Sequence, residues 1–346
     1  MLSYTLSTSL TMLHRPIYRF LGKLLKRYDR RKLASKILMS ESFDYSIRNA
    51  SFVNSWTLMF ACDIHPASPQ LDAHTVSYIS SIAIQVAHFS KLNPGRTPSL
   101  YVPSDQIINF TNQILGCLDK PFILVTGDSD LPVNFESLNG SLETLLNSPL
   151  VLIWFAQNRD FDHPKLHSLP IGINIHNQWS NPLQWGGGFI LPAFQELQLR
   201  TIADSAKPFA EREAKAFCNW HFSLDRADRR ECADLLDKSV CHFQQQPVPM
   251  ANTWEQQSQY QFVISPHGAG LDCHRTWEAL LLGCIPIVKK AKMNDLFKDL
   301  PFIEVEDWGQ INQAFLDDAK KQLSLKTFNQ EKLLMRYWKK LIHQTQ

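Results

Sequence analysis

The stretch Phe262–Lys290, FVISPHGAGLDCHRTWEALLLGCIPIVKK, limits what this chain can fold into more than any other. Phe262 to Ser265 is a short apolar run rich in β-branched residues. Pro266 and the glycines at 268 and 270 then break the regular backbone, and Leu271 to Leu282 carries a helical pattern. Gly283 supplies a helix stop, and Cys284 to Val288 returns as a strand whose proline suits its first positions. Within the helix, Cys273, Trp277, Leu280, Leu281 and Cys284 recur on one stripe, the face that packs on a sheet. Arg275 and Glu278 fall off that stripe and, three residues apart, share a face near the helix start.

A strand that feeds a glycine turn and then a helix collects unpaired backbone N–H groups and the positive end of the helix dipole at one point, which suits a phosphate. The turn at His267, Gly268, Ala269 and Gly270 lets an anion approach the backbone, Arg275 would neutralise a diphosphate, and Glu278 would accept hydrogen bonds from a ribose diol. The competing reading is an ordinary β-α-β crossover carrying an Arg275–Glu278 surface pair.

At 346 residues the chain exceeds the roughly 250–300 that one core usually serves, so two domains are expected. The order expected is a basic helical extension over 1–50, one α/β domain over 51–195, a second over 196–330, and a C-terminal helix over 331–346. A net charge of +2 argues against broad nucleic-acid binding. Basic residues nevertheless crowd positions 14–36, and a helix there would either touch an anionic membrane or pack on the body with a solvated basic face. The seven cysteines form no C-x-x-C pair, so reduced thiols are expected rather than a zinc site or a disulfide framework. No run has the roughly 18 consecutive apolar residues of a membrane span and the N-terminus lacks an apolar signal core, which favours a cytoplasmic setting.

In the first half, Trp56 to Cys62 reads as a buried strand, His74 to Leu92 as a helix, and Pro121 to Thr126 as a strand ending at Gly127-Asp-Ser-Asp130. Asp128 and Asp130 thus fall beyond the carboxyl end of a strand, where open α/β sheets place their ligands. Three roles compete for them: loop and cap chemistry, a divalent cation holding a diphosphate, or a general base for an acceptor hydroxyl. Pro149 to Phe155 and Leu169 to Ile175 read as further strands, with Asn158, His163 and Lys165 on the rim between them. Trp179 to Pro192 reads as a turn before a helix starting near Ala193.

The second half restarts with a strand over Lys215 to Phe222 and a helix opening at Asp225, whose first turns gather Arg226, Arg229 and Arg230. A strand over Ser239 to Phe243 and a short helix over Trp254 to Tyr260 lead into the glycine-turn stretch. Strands and helices alternate on both sides of a hinge, which implies two doubly wound, Rossmann-like domains facing a cleft.

From Ser265 to Val288, and on through Leu300-Pro-Phe-Ile303 and Asp307-Trp308, the sequence resembles the exostosin-like glycosyltransferases. Trp154 to Asn158, His163-Pro-Lys165 and Leu169 to Gly172 are similar to the middle segment of bacterial and algal members. The resemblance implies a GT-B architecture, a nucleotide-sugar donor held by the C-terminal domain, no obligatory metal or cofactor, and a glycan or glycoconjugate acceptor. Glu278 matches the position expected to hold the ribose, His267 stands where many members carry a basic residue, and either Arg229 or Arg230 matches a family arginine. An N-domain carboxylate, Asp128 or Asp130, is the expected base. The rivals are a metal-dependent GT-A-type transferase with Asp128 and Asp130 as cation ligands, and a non-catalytic sugar-nucleotide-binding scaffold. A P-loop kinase and a serine hydrolase are disfavoured, because neither G-x-x-x-x-G-K-[ST] nor G-x-S-x-G occurs.

Overall fold

Two separate parallel sheets organise the chain in a computed structural model, which describes residues 40–68, 73–180, 188–222 and 228–344. The chain divides into two compact units, Met1–Ser46 and Ile47–Gln346, and both sheets belong to the second. The basic segment at 14–36, the turn residues 181–187 and Arg226 lie outside the described residues.

The first sheet runs β1-β2-β3-β4, with β1 at Ser99–Pro103, β2 at Phe122–Gly127, β3 at Val151–Ala156 and β4 at Leu166–Ser168. Every pairing is parallel. Continuous apolar strands such as FILVTG, buried along their whole length, belong in a sheet covered on both faces. The helix Ala73–Leu92 supplies Tyr78, Ile79, Ile82 and Val86 to its core, and the helix Gly140–Asn147 supplies Leu142, Leu145 and Leu146.

The second sheet has the order β6-β5-β7-β8-β9: β5 at Glu213–Cys218, β6 at Cys241–Phe243, β7 at Tyr260–Ser265, β8 at Ile285–Lys289 and β9 at Ile303–Val305. It too is wholly parallel and has its own core, in which Phe262, Ile264, Ile285 and Ile287 pack with Cys218, Cys232 and Trp308. Two Rossmann-like α/β halves are therefore present, as the alternation of strands and helices implies. The chain ends by crossing back to the first half, where Leu334 bridges Phe52 and Met335 N–H donates to Ser51 C=O.

Three local expectations are corrected. Trp56 to Cys62 lies in a helix, Ser55–Phe60, and its turn end rather than a strand. The Asn54 side chain accepts from Thr57 N–H at 3.0 Å and starts the helix, and a short, mostly apolar run has no period that separates helix from strand. The strand expected over Leu169 to Ile175 forms instead at Leu166–Ser168. Gly172 meets residues 53 and 54 through a single antiparallel bridge with Asn54, and Ile173 N–H donates to Val53 C=O at 2.8 Å. The helix expected over Trp254 to Tyr260 occupies Met250–Gln257, and Tyr260 already belongs to β7.

Candidate functional site

A cavity of about 630 Å³ lies between the two halves, beyond the carboxyl ends of β5 and β7. From the second half it takes the glycine turn, Arg229, Arg275 and Glu278, and from the first Asp130, Ile171 and Asn174.

The glycine turn is built for close approach. Gly268 N–H donates to Gly270 C=O at 3.0 Å, which tightens the loop. A Cβ on Gly268 would sit 3.0 Å from Arg229 Nη2, and one on Gly270 would sit 2.8 Å from Asn158 Nδ2. A side chain at 270 would press on Asn158, from the other half of the molecule.

Asp272 and Asn158 join the halves. Asp272 N–H donates to Asn158 Oδ1 at 2.9 Å, and Asn158 Nδ2 donates to Ser129 C=O at 2.8 Å. The Asp272 carboxylate accepts from Ile171 N–H at 2.7 Å and from the Trp277 indole at 2.9 Å. Complete burial pushes its pKa up to about 7 against those donors. A second tie is ionic: Arg159, 6% exposed, bonds Ser168 Oγ at 2.6 Å and pairs with Asp295 at 3.0 Å.

Both arginines of the cavity are held by uncharged oxygens. Arg275 Nε donates to Asn219 C=O at 3.0 Å and to Asn219 Oδ1 at 3.2 Å, and its Nη1 donates to Pro266 C=O at 3.3 Å. Its guanidinium lies 5.7 Å from the centre of the Trp220 ring. Arg229 donates through Nε to His267 C=O at 3.3 Å and through Nη1 to His221 C=O at 3.1 Å. Burial, and then the neighbouring Arg275 charge, lower the Arg229 pKa. Among the described residues neither guanidinium makes a salt bridge. Glu278 is nearly buried, and desolvation raises its pKa against the Trp254 indole, the Asn174 N–H and Arg275.

The expected site residues separate. Gly268, Ala269, Gly270, Arg275, Glu278, Arg229 and Asp130 line the cavity. Arg230 does not; it is exposed, with its guanidinium 5.8 Å from the Phe222 ring centre, so of the two arginines Arg229 is the one at the cavity. His267 contributes its carbonyl to Arg229, and burial lowers its imidazole pKa. Asp128 is turned into the first half: its carboxylate accepts from Ser55 Oγ at 3.0 Å, its N–H donates to Gln157 Oε1 at 2.7 Å, and burial raises its pKa to about 6. Among the described residues no cluster of three or more His, Cys, Asp or Glu could hold a metal ion. Asn158 is the tie already described. His163 Nδ1 accepts from Lys165 N–H at 3.1 Å, and Lys165 Nζ donates to Ser148 C=O at 2.8 Å; neither residue lines the cavity.

Sequence reasoning assigned no role to Asp272, His274, Asn219 or Trp220, all of which line the cavity. Their signal was positional, since 219 and 220 directly follow β5 and 272 and 274 directly follow the glycine turn.

No family model matches this sequence, and no curated protein matches it. Among solved structures, one similar chain is the Methanocaldococcus jannaschii UDP-GlcNAc 2-epimerase in complex with UDP-GlcNAc and UDP. The similarity covers 77% of this chain and 78% of that one, at 9% sequence identity and a TM-score of 0.31.

Proposed function

We propose that this protein is a glycosyltransferase of the exostosin-like kind, which moves a sugar from a nucleotide-sugar donor to a hydroxyl of a glycan or glycoconjugate. The observation that carries this reading is the pair Arg229 and Arg275, both at the cavity, both held by backbone carbonyls, and neither salt-bridged among the described residues. Two cations in a part-buried site repel one another and call for a polyanion, and a diphosphate next to the glycine turn supplies it. Glu278 lies one turn of helix beyond Arg275 and lines the same cavity, and in this reading it accepts from the ribose diol.

Catalysis in this reading is stabilisation of the departing nucleoside diphosphate by Arg229, Arg275 and backbone donors, all fixed before the reaction begins. The first half closes over the reacting sugar and keeps water from consuming the donor. Peripheral contact of residues 14–36 with an anionic membrane and a cytoplasmic setting belong to the same proposal. No helix among the described residues is long and apolar enough to cross a membrane.

A panel of UDP-, GDP-, dTDP- and CDP-sugars screened by thermal shift tests the site, since a true donor raises Tm by mass action. Release of nucleoside diphosphate from the stabilising donor then tests transfer. Full activity in folded Arg275→Ala and Glu278→Ala variants would sink the proposed donor site.

A further inference from the structure

We propose that His274 is a catalytic residue of this site, its Nε2 taking the proton of the acceptor hydroxyl; the role rests on the transferase reading above. His274 opens the helix His274–Leu281 and lines the cavity beside Arg275 and Glu278. Its Nδ1 lies 2.7 Å from Gly172 C=O, from the other half of the molecule. A carbonyl only accepts, so Nδ1 carries the ring proton and Nε2 keeps the lone pair. The carbonyl that sets this tautomer is itself fixed. Gly172 has φ of 68°, a Cβ there would lie 2.0 Å from Val53 C=O, and Ile173 N–H donates to that same carbonyl.

The ring is thus aimed by a backbone carbonyl of the first half, and its Nε2 carries a lone pair before substrate arrives. Burial lowers its pKa to about 4, so the ring is neutral at that stage, and the negative charge of a bound diphosphate raises its basicity for the step. The His176 ring packs edge-on with its centre 5.8 Å away, and burial drives its pKa down to about 3, so no imidazolium charge opposes the proton transfer.

The alternatives are less well placed. Asp128 is bonded to Ser55 and is not at the cavity. Asp130 is exposed on the rim and its charge acts on Arg229, so as an anion it would compete with the diphosphate for that cation. In the proposed step the acceptor O–H proton goes to Nε2 as the acceptor oxygen bonds to the anomeric carbon. The bond from that carbon to the diphosphate breaks, its electron pair leaves on the phosphate oxygen, and the imidazolium then gives its proton to water.

The test uses the full chain, the nucleotide sugar that stabilises it most, and water and methyl glycosides as acceptors. In His274→Asn the amide Nδ2 replaces Nδ1 against Gly172 and nothing replaces Nε2. Donor binding by calorimetry is expected within about threefold of wild type, while diphosphate release falls at least a hundredfold. His274→Ala is expected to regain part of the rate in added imidazole, which a ring serving only as a strut would not allow. Release by His274→Asn within about threefold of wild type would overturn the base assignment and leave the transferase reading intact. So would an Asp130→Asn variant that loses the rate while His274→Asn keeps it. If His274→Asn does not fold, no imidazole rescue of His274→Ala overturns the assignment. A wild-type protein that binds no nucleotide sugar, or binds one and releases nothing, refutes the transferase reading itself.

Discussion

The loops that follow β2 and β7 each lie beyond the carboxyl end of an interior strand, yet one is closed and the other open. After β2, Gly127 packs so tightly that a Cβ would lie 2.7 Å from Gln157, and Asp128 adopts φ of 55° with its amide bonded to Gln157 and its carboxylate to Ser55. After β7, the turn closes through Gly268 and Gly270, and its Pro266 and His267 carbonyls hold two arginines at the cavity. Strand-end position makes a loop eligible to bind; whether its polar groups already have partners decides whether it does. Both strand ends are conspicuous in the sequence, but the cations without an ionic partner among the described residues, Arg229 and Arg275, stand beside the glycine turn.

Removing that charge should have the largest effect. Arg229→Ala with Arg275→Ala deletes two charge-assisted interactions worth about 1.5–3 kcal/mol each, so calorimetry should show donor affinity falling by roughly 10² to 10⁴. A double variant that binds as wild type does would break the contrast between the loops.

Asp128→Asn should act on stability and not on binding. The folded pKa of about 6 lies above the ordinary carboxyl value, so the wild-type carboxyl contributes stability below about pH 4 that is lost as pH rises through 6. Asn cannot ionise, and the variant should gain on wild type between pH 3 and pH 8 by up to roughly 3 kcal/mol, read from urea midpoints. An unchanged difference between those two pH values would show that Asp128 is not desolvated by the closed loop.

Gly270→Ala drives a Cβ against the Asn158 side chain, which is itself held by Asp272 and Ser129. A loss of about 1–3 kcal/mol is expected in denaturant unfolding, with donor affinity also weakened because the turn shifts. An alanine accommodated at no cost to either quantity would mean that the halves are not held together there. The smallest effect is expected from chelation: EDTA should leave donor binding and turnover as they are, whereas a requirement for a divalent ion would bring Asp130 back as a ligand.

The alternation of elements was legible because its signals are local. Val151–Ala156 and Phe122–Gly127 are continuous apolar runs, and the helix Ala73–Leu92 carries enough turns for its period to show. Ser55–Phe60 was not legible, because six residues, five of them buried, carry no period and the Asn54 cap that decides the matter is a single side-chain bond. Ser99–Pro103 went unread for a related reason, as five residues bounded by prolines resemble a loop until Phe122–Gly127 pairs with them.

By itself the sequence determined the glycine turn, the helix face that carries Arg275 and Glu278, and the two-part α/β plan, all of which follow from spacing along one strand or helix. Only the tertiary structure separated Arg229 from Arg230, turned Asp128 inward onto Ser55, and set His274 against a carbonyl from the other half. Those outcomes depend on groups more than seventy residues apart, or on which side of one helix turn faces a cavity. No local pattern encodes a hydrogen bond whose partner arrives only when the two sheets pack.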